Sequence, residues 1–375
     1  MQYFAIIMKN VKFYIIILLT GVLSCTPPDD DDVTTDGKFN PIQPTAFTLT
    51  YPAHFDFILP PIIPEDNPLT EEGIALGKRL FFEKKLSKDN SISCGSCHQP
   101  ANSFNDKGNK LSPGVNGVLG IRNAMPLFNL AWGSVTSKRF NWHGSAESLE
   151  EQAFEPVRNS KEMNETWINV VSKLQNDPTY PPMFERAFLT KAIDSNLVVK
   201  AIAQFERTLI SGESRMDSYV SEQFAGINLP GENFLTDQEK RGFTLFLQES
   251  KGDCFHCHGS QFNPLWTNNE FVNNGLDAMP DSGLAEVTKL STDLGKFKTP
   301  SLRNLEFTAP YMHDGRFNTL EEVVEFYNSG VEPNSPNLDG NQKPRNLTSQ
   351  EQADLVAFLR ALTDTNFVNN PDFRP

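Results

Sequence analysis

Cys94-Gly95-Ser96-Cys97-His98 has the form Cys-x-x-Cys-His, and the same form returns at Cys254-Phe255-His256-Cys257-His258. Two thiols at this spacing can bond the two vinyl groups of a haem, and the histidine that follows can bind its iron. Four of the five cysteines lie in these two motifs and the fifth is Cys25. No cysteine is therefore left for a disulfide framework.

Two other kinds of site also use a Cys-x-x-Cys pair. A structural zinc site binds paired cysteines, but such pairs usually lie closer along the chain than the 160 residues (254 − 94) between these motifs. A thioredoxin-like dithiol needs neither the following histidine nor a second copy. We therefore expect two covalently attached haems c. The predicted attachment residues are Cys94, Cys97 and His98 in the first motif and Cys254, Cys257 and His258 in the second.

The composition narrows the classes of partner. The chain has 375 residues, enough for two domains with tails, and a formal net charge of −14. An acidic chain lacks the basic footprint that nucleic-acid binding requires, so no nucleic-acid partner is expected. The acidic balance allows a basic redox partner.

The N-terminus resembles an export signal. Lys9 and Lys12 precede an apolar run at residues 13–23, which is too short to cross a bilayer as a mature helix. Cys25 follows the end of that run, as in a lipoprotein signal whose cysteine is acylated. The alternative is an ordinary secretory signal with an incidental cysteine. We expect residues 1–25 to be a lipoprotein-type signal, giving an exported protein of the periplasm or cell envelope that contacts the membrane only through the lipid on Cys25.

The rest of the chain divides into a tether and two similar halves. Residues 26–65 are rich in Pro, Asp and Thr, and they predict a tether and an extended segment. Both haem motifs follow an amphipathic stretch that begins Leu-Thr-acid, at Thr70 and at Thr236, which indicates an internal repeat. Closing helices are expected at residues 196–210 and 348–362. The pattern predicts an all-α protein with two cytochrome c-like domains and long loops, at residues 66–228 and 229–375, each holding one haem c.

Two longer stretches resemble one family. Phe140-Asn141-Trp142-His143-Gly144, with Leu149-Glu150-Glu151-Gln152-Ala153, Pro156 and Glu162-Met163, is similar to the N-terminal domain of bacterial di-haem cytochrome c peroxidases. Phe297-Lys298-Thr299-Pro300-Ser301-Leu302-Arg303-Asn304 and Thr308-Ala309-Pro310-Tyr311-Met312-His313-Asp314-Gly315 are similar to their C-terminal domain. The resemblance covers about residues 66–365. MauG, which matures a protein-derived quinone, belongs to the same superfamily.

The resemblance implies roles for three side chains. Cleavage of the O–O bond of hydrogen peroxide needs a group that moves a proton between its two oxygens, and the match places this role on Glu162, with Gln152 in the same pocket. The match makes Trp142 an electron carrier between the haems. His143 departs from the family pattern, which has an aspartate there, and it is not assigned a role. Glu150 and its neighbour Glu151 are expected to be solvated acids in the first turn of a helix.

The resemblance also bears on the sixth ligands of the two irons. Classical members cap the N-terminal haem with a histidine whose place here is near residues 114–115, and no histidine lies between His98 and His143. The first iron is therefore expected to be open to peroxide without reductive activation. For the second haem, the matching position is Tyr327, as in MauG, where classical members have a methionine. Periodicity alone makes Tyr327 a core residue, and Met312 and Met279 stay open as alternative ligands.

Family members hold a calcium ion between their domains, and the matching positions are the Asn123 side chain and the carbonyls of Thr308 and Pro310. The resemblance implies a peroxidase that takes electrons from a small cytochrome or cupredoxin and reduces hydrogen peroxide. It also allows a homodimer. Two alternatives stay open: a MauG-like enzyme that uses peroxide to oxidise a protein or organic substrate, and a non-enzymatic electron-transfer cytochrome. A carrier would need no proton-handling pair such as Gln152 and Glu162.

Overall fold

The computed structural model describes residues 43–106, 108–133, 139–224, 226 and 234–375. Gln43–Pro375 form one compact unit. The predicted lipoprotein signal with Cys25 and the start of the tether fall at residues 1–42, outside the described part of the chain. Within that described part, no helix combines the length and apolar character that crossing a bilayer requires.

The fold is mostly helical, as the sequence predicts, with long irregular connections. The helices are α1 (Glu71–Phe81), α2 (Cys94–Cys97), α3 (Leu149–Arg158), α4 (Trp167–Gln175), α5 (Tyr180–Phe188), α6 (Ser195–Arg207), α7 (Arg215–Phe224), α8 (Asp237–Leu247), α9 (Phe255–His258), α10 (Ala285–Thr288), α11 (Leu320–Glu325), α12 (Ser349–Ala361) and α13 (Thr365–Asn369). Two short strands, β1 (Phe271–Val272) and β2 (Phe297–Lys298), form an antiparallel ladder that the all-α expectation lacked. In its register Phe271 lies opposite Lys298, and Val272 lies opposite Phe297.

Local chemistry sets the starts of the main helices. The side chains of Thr70 and Thr236 each accept a hydrogen bond from the backbone N–H three residues on, at the starts of α1 and α8. Thr319 and Thr348 do the same for α11 and α12. Each cap satisfies an N–H group that has no partner inside the helix. The closing helices therefore lie close to the predicted ranges, with α6 and α12 each ending a residue or more earlier.

The same close helix crossing occurs in both halves. At Gly77 of α1, an added Cβ would lie 1.9 Å from the carbonyl oxygen of Ala201 in α6. At Gly242 of α8, it would lie 1.9 Å from the carbonyl oxygen of Asp354 in α12. Only glycine permits backbones to approach this closely. The helix before each haem motif is thus packed directly against the closing helix of its own half.

Two apolar cores flank these crossings. The first is built on α1, α3, α4, α5 and α6, and the second on α7, α8, α11 and α12. The C-terminal residues Phe367 and Val368 belong to the first core, where Phe367 packs against the rings of Phe104 and Phe128. The end of the chain therefore returns from the second core to the first. The domain boundary predicted at residue 228 stays a prediction.

A buried ionic cluster ties the extended N-terminal segment to the rest of the molecule. Arg303 is fully buried and donates two hydrogen bonds of 2.6 Å to the carboxylate of Asp217 in α7. His54 Nε2 lies 3.1 Å from the same carboxylate. Beside the cluster, Phe55 packs against Trp132. Because a buried charge is costly without a partner, these contacts hold the segment in one place.

Candidate active site

Each haem motif forms a single helical turn beside its own cavity. Cys94 and Cys97 of α2 line a first cavity of about 730 Å³. Cys254 and Cys257, at the start of and within α9, line a second, narrower cavity of about 200 Å³. None of these four cysteines forms a disulfide. Burial raises the pKa of the Cys97 thiol to about 11 and that of the Cys254 thiol to about 12.

The two motif histidines have the properties that an iron ligand needs. The ring Nδ1 of His98 lies 2.9 Å from the carbonyl oxygen of Phe104, which orients the ring and leaves Nε2 for a metal. Burial lowers the pKa of His98, and it lowers the pKa of His258 to about 4. Both imidazoles are therefore neutral at physiological pH and can donate a lone pair.

These features fit haem better than zinc. A structural zinc site needs four ligands gathered around one point. Within the described ranges, no group of three or more His, Cys, Asp and Glu side chains is placed to hold a metal ion. A cavity next to a paired thiol and a neutral histidine suits a large planar cofactor. The residues present thus fit one haem c at each motif.

Glu162 and Gln152 both line the first cavity. Glu162 Oε1 accepts a hydrogen bond of 2.6 Å from the Asn159 side chain. Burial raises the pKa of the Glu162 carboxyl, and the nearby Glu155 carboxylate raises it further, while the Asn159 contact opposes both. A carboxyl with a raised pKa in a cavity is suited to accept a proton from one group and release it to another.

The loop at Gly114 forms the wall next to Glu162. The backbone N–H of Val115 donates a hydrogen bond of 2.8 Å to the Glu162 carbonyl. An added Cβ on Gly114 would lie 2.2 Å from the Lys161 carbonyl oxygen and 2.7 Å from that of Glu162. No side chain can therefore project from position 114 without a shift of this backbone. Apart from His98, the histidine that lines this cavity in the described chain is His143.

His143 lies at the side of the first cavity, near charged groups from the second half. Burial lowers the pKa of its ring, and the Arg122 guanidinium lowers it further. Arg122 pairs with Asp281 at 2.8 Å and with Glu286 at 2.7 Å. These ion pairs connect the loop before the first cavity to the region around α10. His143 therefore lines the first cavity, although the sequence assigned this residue no role.

Trp142 lines both cavities. Its side chain is 8% exposed, and its indole Nε1 donates a hydrogen bond of 2.8 Å to the Asn123 carbonyl. Its own carbonyl accepts a hydrogen bond of 2.9 Å from the backbone of Lys298 in β2. An oxidisable ring is therefore held in a single position between the two motifs, by contacts to both halves of the molecule.

The second cavity contains two of the three candidate sixth ligands. Tyr327 and Met312 both line it, and the Asn274 side chain donates to the Tyr327 hydroxyl at 3.2 Å and lies 3.7 Å from the Met312 sulfur. Met279, the third candidate, is 92% exposed at the surface. Burial raises the pKa of Tyr327 to about 12, so a phenolate there requires a nearby cation. Tyr327 lies in a short π-helical segment, Phe326–Gly330. Such segments are often found at functional sites.

The predicted calcium positions lie along one cavity, and the calcium ion itself stays a prediction. Asn123, Thr308 and Pro310 all line the second cavity. The Asn123 amide nitrogen donates hydrogen bonds of 3.1 Å to the carbonyls of Asn109 and Lys110. These two hydrogen bonds orient the Asn123 side chain.

Two acids differ from the sequence-based expectation. Glu150 was expected in solvent, but it is half-buried and forms two hydrogen bonds, of 2.7 and 2.9 Å, with Arg207. That prediction was wrong because its partner lies 57 residues away in sequence. Glu155, which the sequence reading overlooked, lines the first cavity and accepts hydrogen bonds from Ser145 and Asn141. Its spacing of three residues from Gln152 on α3 was the available signal, because such residues share one helical face.

Comparison with known proteins identifies the family. A family model described as di-haem cytochrome c peroxidase matches residues 71–225. The methylamine utilization protein MauG of Methylorubrum extorquens is 39% identical over 302 residues, which cover 80% of each chain. The cytochrome-c peroxidase IdrP1 of Pseudomonas sp. strain SCT is 35% identical, covering 81% of this chain and 84% of that protein.

A solved structure gives the same result. The crystal structure of a MauG-like protein associated with microbial copper homeostasis superposes with a TM-score of 0.76 at 33% identity. The match covers 88% of this chain and 99% of that one. Together with the paired cavities at the two Cys-x-x-Cys-His motifs, these similarities show that the chain belongs to the family of di-haem cytochrome c peroxidases and MauG proteins, which implies two haems.

Proposed function

We propose that this protein is a di-haem peroxidase that reduces hydrogen peroxide to water with electrons from a small redox protein, a cytochrome or a cupredoxin. Each turnover combines one peroxide, two electrons and two protons into two waters. The observation that carries the proposal is the first cavity, where Glu162, a half-buried carboxyl with a raised pKa, lies with Gln152. A simple electron carrier has no use for such a proton-handling pocket.

The residues of the first cavity have separate tasks in this proposal. A haem attached at Cys94 and Cys97, with His98 as its ligand, would supply the iron that binds peroxide and passes electrons to it. Glu162 takes the proton from one peroxide oxygen and returns it to the other, so that the departing oxygen leaves as water. Gln152 orients the peroxide by hydrogen bonding. The glycine at position 114 keeps the wall beside Glu162 free of a ligating side chain.

The second site receives the electrons. A haem attached at Cys254 and Cys257 would be held by His258, and Tyr327 would supply a further oxygen ligand to its iron. A hard phenolate oxygen favours ferric iron and lowers the reduction potential relative to a methionine ligand. Trp142, which contacts both cavities, carries electrons from this site to the first.

The role of Glu162 is tested by Glu162→Gln, which removes the ionisable proton and preserves the shape of the side chain. We expect both haems to be retained and peroxide reduction to slow by about 10²–10⁴-fold, the usual contribution of general acid–base catalysis. The matched control is Glu151→Gln, because Glu151 is an exposed acid on α3 that does not line the first cavity. Turnover of Glu162→Gln within twofold of the control would remove Glu162 from the mechanism.

The second candidate function is MauG-like oxidation of a protein or organic substrate by peroxide. Tyr327 at the second cavity and the glycine at position 114 favour it, and the MauG of Methylorubrum extorquens is a relative. MauG has a surface tryptophan six residues before its second haem histidine, and Gly252 takes that position here. A Cβ on Gly252 would lie 2.4 Å from the Leu245 carbonyl oxygen, so a MauG-like substrate route through this position is not available.

A peroxide titration separates the candidates. Peroxide is added to the diferric protein and to the half-reduced protein, each with and without reduced cytochrome c. A peroxidase oxidises the cytochrome at a steady rate. A MauG-like enzyme changes its spectrum in the diferric state but oxidises the cytochrome slowly. A protein that shows neither a spectral change nor turnover is an electron carrier.

We further propose one calcium ion bound by Asn123, Thr308 and Pro310. Removal by a chelator should lower the melting temperature and alter the spectrum of the second haem, and added calcium should restore both. No effect after chelation, with calcium absent from elemental analysis, would contradict this site.

We also propose export and anchoring through a lipid on Cys25. Labelling with a radioactive fatty acid should mark the wild-type protein in membranes. Cys25→Ser should release an unlabelled, haem-containing protein to the soluble fraction, and label retained on Cys25→Ser would refute the anchor.

A further inference from the structure

Glu206 is a buried acid that the proposed mechanism does not use. It lies near the end of α6, is 3% exposed and lines the first cavity. Its Oε2 atom has no hydrogen-bond partner within the described part of the protein. An ionised carboxylate without a hydrogen-bond partner is much less stable in a buried site than in water. Burial therefore favours the protonated form of Glu206.

Two charged groups, Arg207 and Glu150, act on the Glu206 carboxyl in opposite directions. Its neighbour on α6, Arg207, is bound by the carboxylate of Glu150 on α3 through two hydrogen bonds. The Arg207 charge is therefore already balanced by an anion. Burial raises the pKa of Glu206 to about 8, Arg207 opposes this rise, and Glu150 adds to it. Burial raises the pKa of the Cys94 thiol and the Glu206 carboxylate raises it further, so Glu206 lies within electrostatic reach of the first haem motif.

We propose that Glu206 takes up a proton when the first haem is reduced and releases it when that haem is oxidised. Reduction of the iron by one electron removes one positive charge from the cavity. Across a low-dielectric cavity, this change increases the affinity of the Glu206 carboxylate for a proton. The coupled step is ferric haem, one electron, one proton and the Glu206 carboxylate giving ferrous haem and the neutral acid. The electron comes from the donor protein, and the proton comes from water.

The proposal rests on haem attachment at Cys94 and goes beyond the proposed peroxidase function. In this proposal Glu206 adjusts the net charge of the first cavity and does not contact peroxide. Proton uptake together with the electron keeps the net charge of the first cavity constant. Because the coupling is reciprocal, the reduction potential of the first haem must depend on pH.

The test is a potentiometric titration of the intact di-haem protein at several pH values between 6 and 10, followed by haem spectra. In the wild type, the potential of the first haem should fall as pH rises, by at most about 59 mV for each tenfold drop in proton concentration. In Glu206→Gln, this fall should shrink. The variant and the wild type should agree near pH 6, where Glu206 is neutral, and diverge at high pH, where the variant lacks the negative charge.

A merely structural role predicts a different result. Loss of packing at Glu206 would shift the potential by the same amount at every pH. The second haem in the same molecule is an internal control, and its potential should have the same pH dependence in both proteins. A constant offset between wild type and Glu206→Gln, or a wild-type potential that is independent of pH from 6 to 10, would overturn the proposal.

A second variant keeps the proposal testable if Glu206→Gln does not fold. If Glu206→Gln fails to retain two haems, Glu206→Asp retains an acid one methylene shorter and should keep a pH-dependent potential with a displaced midpoint. A pH-independent potential in Glu206→Asp would also overturn the proposal. Peroxide turnover does not enter these measurements. A protein that consumes no peroxide but has this pH-linked potential would refute the peroxidase function and leave the role of Glu206 intact.

Discussion

Replacement of Gly114 by alanine tests whether the wall of the first cavity sets the position of Glu162. The new Cβ would lie 2.2 Å from the Lys161 carbonyl oxygen, whereas real Cβ atoms essentially never come closer than 3.0 Å to another heavy atom. The backbone beside Glu162 must therefore move by roughly 0.8 Å, the difference between those distances. The Val115–Glu162 backbone hydrogen bond of 2.8 Å would be strained by the same movement.

The size of the effect follows from this displacement. A misplacement of about 1 Å at a catalytic group can cost about 10²-fold in rate, which corresponds to roughly 2.7 kcal/mol. We expect Gly114→Ala to lower kcat/KM for peroxide by about 10- to 100-fold. Overpacking of this kind also lowers the free energy of unfolding by about 1–3 kcal/mol, so the protein should still fold.

The assay is steady-state peroxide reduction with a reduced cytochrome c, normalised to covalent haem content. The matched control is Gly120→Ala in the same loop, where the nearest atoms to the new Cβ lie 3.8 Å away. The control should stay within twofold of the wild type. If Gly114→Ala retains both haems and also stays within twofold, the contact with residues 161–162 does not position the catalytic carboxyl, and the reasoning is refuted.

Three further predictions concern single side chains. Glu155→Gln removes a negative charge that raises the pKa of Glu162. The acid limb of the pH profile of kcat/KM should therefore move to lower pH. An acid limb that stays in place or moves to higher pH would contradict the role of Glu162 as the proton acceptor. Tyr327→Phe removes the proposed oxygen ligand, so the visible and magnetic spectra of one haem should change and those of the other should not. Asp217→Asn leaves the Arg303 guanidinium buried without its carboxylate and should cost about 3–5 kcal/mol in urea unfolding. Burial favours the neutral acid, but Arg303 holds the pKa of Asp217 far below its usual range. That stabilisation is therefore present above the pKa of an unfolded aspartate and is lost as pH falls, and in Asp217→Asn this acid dependence should weaken.

Much of the fold follows from short-range chemistry. The threonines at positions 70, 236, 319 and 348 cap helices because a hydroxyl three residues before a free backbone N–H satisfies it wherever the helix lies. The repeated order of capped helix, haem motif and closing helix was therefore readable from spacing. The short β1–β2 ladder could not be predicted in this way, because strands of two residues are too short to have a periodic pattern.

The candidate site was predictable only in part. The motif residues follow from their spacing, and the resemblance pointed to Glu162, Gln152, Trp142 and Tyr327, which all line the expected cavities. Among the alternatives for the second iron, Met279 is separated from the others by its exposure at the surface, which no local pattern revealed.

The sequence by itself determined that two thiol pairs with adjacent histidines exist and where the helices around them begin. These properties depend on residues a few positions apart, so local spacing is sufficient. The tertiary structure decided the state of each acid. Glu150 gains a guanidinium partner, Glu162 lies half-buried beside the Gly114 loop, and Glu206 is buried with an unpaired oxygen. Desolvation and pairing depend on groups brought together from distant parts of the chain, and these interactions set the charge of a carboxyl and therefore what chemistry it can perform.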